Sequence, residues 1–224
     1  STQSRSSAAS DVYKRQTQFG SSVGNSGLSD AFVVKYNTSG VVQWVARIGS
    51  TQVDAGYAIA ADSGGNVYVT GQGGSGVAFT AFNSNTQAFA TSPFNLGSSD
   101  LFLVKYNTNG IVQWIVRIGS NMSEIGYGIA TDSSGDVYIT GETNGQLRAF
   151  NSNGTLFGSA GGALVGLNSE TFVVKYNTSG FVQWITNLGG SGFDFGRAIE
   201  ADSSNNLYVA GQFSAGGLVP FDTV

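Results

Sequence analysis

Three aspartates recur at one constant step along the chain, each heading a polar turn: Asp62 in "DSGGN", Asp132 in "DSSGD" and Asp202 in "DSSNN". Clustered oxygen ligands of this kind could hold calcium, a hard cation bound by carboxylates and carbonyls. Each turn supplies at most two carboxylates, however, and none has the Asp-x-Asp-x-Asp-Gly loop. An Asx turn, in which the side chain bonds its own backbone, accounts for them. A carboxylate pair could also serve glycoside hydrolysis, which needs no histidine. Glu142, Glu200, Arg148 and Arg197 do break the repeat, and they read as solvated substitutions. Trp44, Trp114 and Trp184, spaced by the same step, could stack on sugars. A residue restated in every unit is more simply a packing anchor between units. Lys35, Lys105 and Lys175 recur likewise and are expected to pair or snorkel at a sheet edge. No residue is assigned as catalytic, cofactor-binding or metal-binding, and no ligand-binding residue is named.

Absences narrow the chemistry further. With no Cys there is no disulfide, thiol nucleophile or thiolate metal site. With no His the usual general base of Ser and Cys hydrolases is missing, as is the commonest transition-metal ligand. The formal charge of −4 includes Arg5, Lys14, Arg15 and Asp11; the remainder carries 7 basic against 13 acidic residues, a net of −6. Nucleic acid would be repelled by such a body. No apolar run long enough for a helical span occurs, so no helical membrane insertion is expected. Residues 1–16, "STQSRSSAASDVYKRQ", share nothing with the rest and read as a disordered, adapter-like segment. Asn37, Asn121, Asn153 and Asn177 begin Asn-x-Ser/Thr sequons, which arise readily by chance in a chain this rich in those residues.

The elements that position these residues are short strands. "DAFVVKYNTSGVVQWVARIGS" from Asp30 is nearly restated from Asp100 and from Glu170, and "DAGYAIAADSGGNVYVTGQ" from Asp54 is restated from Glu124 and Asp194, with the same step throughout. Within a unit, four segments such as 57–61, 66–72, 100–107 and 111–118 are rich in Val, Ile, Tyr, Phe and Trp and are bounded by turn residues. Gly and Asn in "YNTSG" and "DSGGN" supply the positive φ that tight antiparallel connections need. In 111–118 one face carries Val112, Trp114, Val116 and Ile118, and the other Ile111, Gln113, Ile115 and Arg117. Both faces are largely apolar. The expected fold is therefore all-β, a β-propeller segment of four-stranded antiparallel blades packed face to face.

The pattern Asp-x-Phe-Val-x-Lys-Tyr-Asn, Gly, Trp, then Gly-Tyr-x-Ile-x-x-Asp-x-x-Gly-Asn-x-Tyr-Val-Thr-Gly resembles the bacterial-type seven-bladed β-propeller repeat family (SBBP-like repeats) over residues 17–224. The resemblance implies a blade array in a long, often secreted or surface-associated repeat protein. The third copy departs from the pattern at Glu170, Asn187 and Asn205, so its strand ends are expected to pack less regularly.

A long connector, 73–99 and again 143–169, separates the second and third strands of a unit. It is too long for a plain loop and should carry a small hairpin, signalled by Asn153-Gly154 in "RAFNSNGTLFG". The blades then fall at 30–48 (partial), 57–118, 127–188 and 197–212 (partial), about three units and an incomplete ring. The expected function is a non-enzymatic scaffold, a surface or secreted interaction module that binds a protein or glycan through the connectors 73–99 and 143–169. Part of a carbohydrate-active enzyme whose catalytic residues lie elsewhere, or a structural spacer, are the competing readings. The expected partners are further blades of the same chain or a homodimer, the expected setting is extracellular or cell-surface, and no cofactor is expected.

Overall fold

The computed structural model describes residues 24, 27–91, 97–160 and 169–220. The 1–16 segment lies outside them. Regular structure among the described residues is all β. β1 (Ala31–Tyr36) and β2 (Val42–Gly49) are followed by β3 (Ala55–Ala61) and β4 (Val67–Gly73), then by β5 (Thr80–Phe82) and β6 (Ala88–Thr91) within the first connector. β7 (Asp100–Tyr106), β8 (Val112–Gly119), β9 (Glu124–Thr131) and β10 (Val137–Thr143) follow. β11 (Leu147–Phe150) and β12 (Leu156–Ala160) occupy the second connector. The chain continues through β13 (Glu170–Tyr176), β14 (Val182–Gly189), β15 (Phe195–Ala201), β16 (Leu207–Gln212) and β17 (Val219–Pro220).

Four antiparallel sheets result. β3-β4-β7-β8 and β9-β10-β13-β14 are complete four-stranded blades, β1-β2 is an outer half-blade, and β15-β16 is an inner half-blade. These sheets make an incomplete propeller with no closed ring. The connector hairpins are present, but each is donated backwards: β5-β6 pairs with β2, and β11-β12 pairs with β8, adding outer strands to the preceding blade rather than to their own.

The core lies between the sheets. Ala31, Val33, Trp44 and Ile48 of the first sheet meet Val69, Phe102, Val104 and Tyr106 of the next. From the same strand β7, Leu101 and Leu103 join Val116 and Ile118 in the following seam, against Ile139, Phe172, Val174 and Tyr176. A third seam packs Tyr138 and Val173 against Ile199. Strand alternation sends successive side chains into opposite seams, so a central strand must be apolar along its whole length. Every residue of β7 is buried accordingly.

The turns follow the local chemistry. Asn37 accepts hydrogen bonds from the Ser39 and Val41 amides, and Gly40 has φ 76°; the equivalent turns hold Gly110 at 74° and Gly180 at 79°. Asn205, one of the third copy's departures, adopts φ 64° where Gly65 and Gly135 stand, so the turn is unchanged. Its side chain also accepts from the Ser133 amide and hydroxyl of the neighbouring blade. The Glu170 and Asn187 departures compensate each other. Asp30 pairs with Arg47 and Asp100 with Arg117, whereas the longer Glu170 reaches the shorter Asn187. The expected irregularity of the third copy is thereby repaired in both places.

Thr86 has φ 68° at the tip of the first connector hairpin, where the second has Gly154 at 82°. A β-branched residue is strained in that region. Thr86→Gly should raise the unfolding free energy by about 0.5–1 kcal/mol in urea titration, despite the added freedom of glycine in the unfolded chain.

Candidate functional site

In the first two copies the recurring Trp and Lys residues meet at one backbone oxygen of the next blade. Trp44 Nε1 (3.0 Å) and Lys35 Nζ (2.9 Å) both donate to the carbonyl of Thr108, in the β7–β8 turn of the next blade. Trp114 Nε1 (3.1 Å) and Lys105 Nζ (2.9 Å) do the same to Thr178. Trp44 stacks on Tyr106 and Trp114 on Tyr176 across those seams. Neither indole is open to a sugar, since Trp44 and Trp114 are each 7% exposed. At the third copy Trp184 is half-buried against Tyr138, and Lys175 turns to Asp136 at 2.9 Å and Asp132 at 3.5 Å. Asp136 stands where the other turns have Asn66 and Asn206. Burial opposes the Lys175 ammonium, but Tyr138 and Asp136 beside it outweigh that and hold it above the usual lysine range, whereas burial pushes the Lys105 ammonium down against the attraction of Asp62.

The turn aspartates form Asx turns as read from sequence. Asp62 accepts from the Asn66 amide, Asp132 from the Ser134 and Asp136 amides, and Asp202 from the Ser204 and Asn206 amides. Tyr68, Tyr138 and Tyr208 each donate a phenol hydrogen bond to the same carboxylate. Burial works against ionisation of Asp62 and Asp132, but these donors outweigh it and hold both carboxyls below the ordinary range. Among the described residues no three acidic side chains gather as a metal site would require.

Sequence reasoning misses a second set of carboxylates. Asp54, Glu124 and Asp194 are buried at the opposite end of the blades, closing the loops that enter the inner strands. Asp54 accepts from the Ser50 amide and hydroxyl and from the Gly74 amide; Glu124 accepts from the Ser120 amide (2.8 Å), the Ser120 hydroxyl and Thr143 Oγ1. Burial raises the Glu124 carboxyl to about 7, with Asp100 adding to the rise and the Ser120 hydrogen bonds opposing it. Their recurrence at the repeat step, each with a Ser or Gly four positions earlier, is the signal that could have found them.

Of the four charged residues that break the repeat, the structure brings two together. Arg197 lies over the Tyr127 ring, 4.3 Å from its centroid, and Tyr127 donates to Glu142 Oε1 at 3.2 Å. Tyr57 also packs against Tyr127, with ring centroids 5.8 Å apart, so this cluster runs across the inner strands β3, β9 and β15. Arg148 and Glu200 are exposed and stand apart from it.

The described residues of the connectors build the hairpins β5-β6 and β11-β12. Their hairpins form the outer rim, and their tips fasten the next blade: Asn83 accepts from the Val112 amide, and Ser84 donates from its amide to Gly110 and from its hydroxyl to Asn109. Asn151 and Ser152 repeat this on Val182, Gly180 and Ser179. Each hairpin thus bonds one blade along its edge and the following blade at its tip. Arg47 and Arg117 lie over Phe82 and Phe150 of these hairpins, 3.8 and 4.4 Å from the ring centroids.

Apolar seams, backward-donated hairpins and an open circuit define a segment of a β-propeller. Residues 43–76 and 113–147 match the family model of the beta-propeller repeat, SBBP, and the chain carries SBBP repeats. Each match runs from the outer strand of one blade through the inner pair of the next, the stretch that builds a seam. The chain is similar to an uncharacterized WD repeat-containing protein of Acanthamoeba polyphaga mimivirus, 33% identical over 212 residues, 88% of this chain and 15% of that protein. It is also similar to the regulatory protein FlaEY of Caulobacter vibrioides, 28% identical over 121 residues, 54% of this chain and 12% of that protein. The chain spans less than a sixth of the length of these curated relatives.

Two outcomes follow from the seams. Trp114→Ala should cost about 3–5 kcal/mol in chemical unfolding, and Trp184→Ala less than half of that, because Trp184 is only half-buried. For Glu124 the folded carboxyl titrates above the unfolded one, so its neutral form is favoured by folding. That stability is complete below the ordinary carboxylate range and is lost as pH rises through about 7. Unfolding free energies measured from pH 5 to pH 8 should fall by up to about 3 kcal/mol from this group, and Glu124→Gln should remove most of the decline.

Proposed function

We propose that this chain is a non-enzymatic interaction scaffold whose contact surface is the outer rim built by the connectors 73–99 and 143–169. The supporting observation is the state of the rim strands. Among the described residues β6 and β12 end their sheets, and they carry Phe89 (47% exposed), Leu156 (53%) and Phe157 (43%) beside the sheet margin, while the strands inside the blades are consumed by seam packing. A short exposed strand edge with apolar side chains takes an extended peptide by strand addition, backbone hydrogen bonds supplying affinity and side-chain contacts supplying selectivity. The partner on this reading is a protein. The two rim hairpins differ at their exposed positions, Ala88 against Leu156 and Thr86 against Gly154, so separate blades can select separate partners. The WD repeat-containing relative and the regulatory relative are both compatible with a scaffold role. A body without cysteine is indifferent to an oxidising compartment, which suits the extracellular or cell-surface setting included in this proposal.

Peptides selected from a random display library against the full chain should have alternating β-branched and aromatic residues. Phe157→Lys with Leu156→Lys should weaken them at least tenfold in titration calorimetry without changing the melting temperature. Peptides whose binding is insensitive to both rim hairpins, or selection of oligosaccharides instead on a glycan array, would refute the rim as the protein-binding surface.

A further inference from the structure

Every described base but one is held by a partner within the fold. Lys35 and Lys105 donate to the carbonyls of Thr108 and Thr178, Arg47 and Arg117 pair with Asp30 and Asp100, Lys175 reaches Asp136, and Arg197 lies over Tyr127. Arg148 differs. It is exposed on β11 and has no hydrogen bond, ion pair or ring contact among the described residues. The connectors 73–99 and 143–169 contain Arg148 and no other charged residue, so the acidity of the chain lies off the rim. Its place in the ladder sets what it can reach. Arg148 stands opposite Ser159 of β12 and Gly119 of β8, and among the described residues β12 ends the sheet, so one strand separates the guanidinium from the margin. Side chains paired across a ladder share one face. Ser159 is small and exposed, and Gln146, two positions before Arg148, donates to its hydroxyl from Nε2 at 3.2 Å. Neighbouring strands lie about 5 Å apart, so a strand added to β12 runs about 10 Å from β11, a gap that an arginine and a carboxylate side chain bridge from its two sides. On the first hairpin Thr80 holds the same place, opposite Thr91 and Gly49, and offers no charge.

Resting on the reading of the rim as a peptide-binding surface, we propose that the second rim hairpin selects a partner segment with a carboxylate side chain, which passes over Ser159 to pair with Arg148. The first hairpin takes a neutral segment. Arginine suits this role because its planar guanidinium meets a carboxylate through two parallel hydrogen bonds. Leu156 and Phe157, exposed on the same strand as Ser159, supply the apolar contacts beside it. The partner segment therefore carries one acid among β-branched and aromatic residues. A longer acidic run is disfavoured, because the body outside residues 1–16 has 7 basic against 13 acidic residues and repels it.

The test is a short alternating peptide of Val, Thr and Phe, made with Glu, Gln or Lys at each outward position in turn and titrated calorimetrically against the full chain. At low salt the best Glu peptide should bind about fivefold tighter than its Gln counterpart, and the advantage should fade as salt is raised. Arg148→Gln should abolish that advantage while leaving the affinity of the Gln peptide and the melting temperature unchanged, and Arg148→Glu should transfer the preference to the Lys peptide. Equal binding of the Glu and Gln peptides, a preference for Lys in the unaltered chain, or a Glu preference that survives Arg148→Gln would overturn the inference. If binding is still lost in the Leu156→Lys, Phe157→Lys double variant, the rim reading stands without it. Binding of no peptide at the rim overturns both.

Discussion

A four-stranded sheet with two apolar faces cannot stand in water by itself, and that constraint organises this molecule. β7 sends Phe102 and Val104 into one seam and Leu101 and Leu103 into the next, so each blade is stable only between two others. Burying side chains of this size contributes about 1.5–3 kcal/mol each, and the seams hold most of the buried aromatics. Stability is thus shared between neighbours rather than owned by any blade. The half-blades, each with one seam, are left with large exposed hydrophobics such as Phe32 and Tyr208.

Polar contacts then fix how the blades meet. Apolar packing alone tolerates sliding, whereas the carbonyls of Thr108 and Thr178 each collect an indole and an ammonium donor from the preceding blade and so set one relative position. The connector hairpins act on the same seams from outside. β5-β6 lengthens the first sheet and its tip grips the turn of the next, which makes the connector a strap across the seam. The base and tip of each hairpin are committed to the blades, and β6 and β12 are the margin left over.

Divergence between copies is local and repaired. Glu170 with Asn187 substitutes for the Asp–Arg pairs, Asn205 takes the left-handed conformation of a glycine, and Asp136 receives the lysine of the third copy. Each change preserves a contact by altering both partners or by using a residue that tolerates the same backbone. Ala210 is the exception, because an alanine cannot stand in for the hydroxyl of Thr70 and Thr140.

Period, strands, turn aspartates, buried tryptophans and the connector hairpins were legible in the sequence, because each depends on residue type and spacing within a few positions. Alternation along 111–118 already required two apolar surroundings, and Gly40, Gly110 and Gly180 already marked the tight turns. Other features depend on which sheet lies across a seam, and no local pattern carries that. The sequence could not say that the hairpin after β4 would join β2 of the preceding blade, or that Trp44 would find the distant carbonyl of Thr108. Nor could it say that Glu142 and Arg197, scattered in the chain, would meet at Tyr127 on adjoining inner strands. Residue chemistry determined the blade and its two hydrophobic faces. Only the stacking of one blade on another decided what those faces, their polar edges and their connectors would touch, since a contact across a seam is a property of two sheets at once.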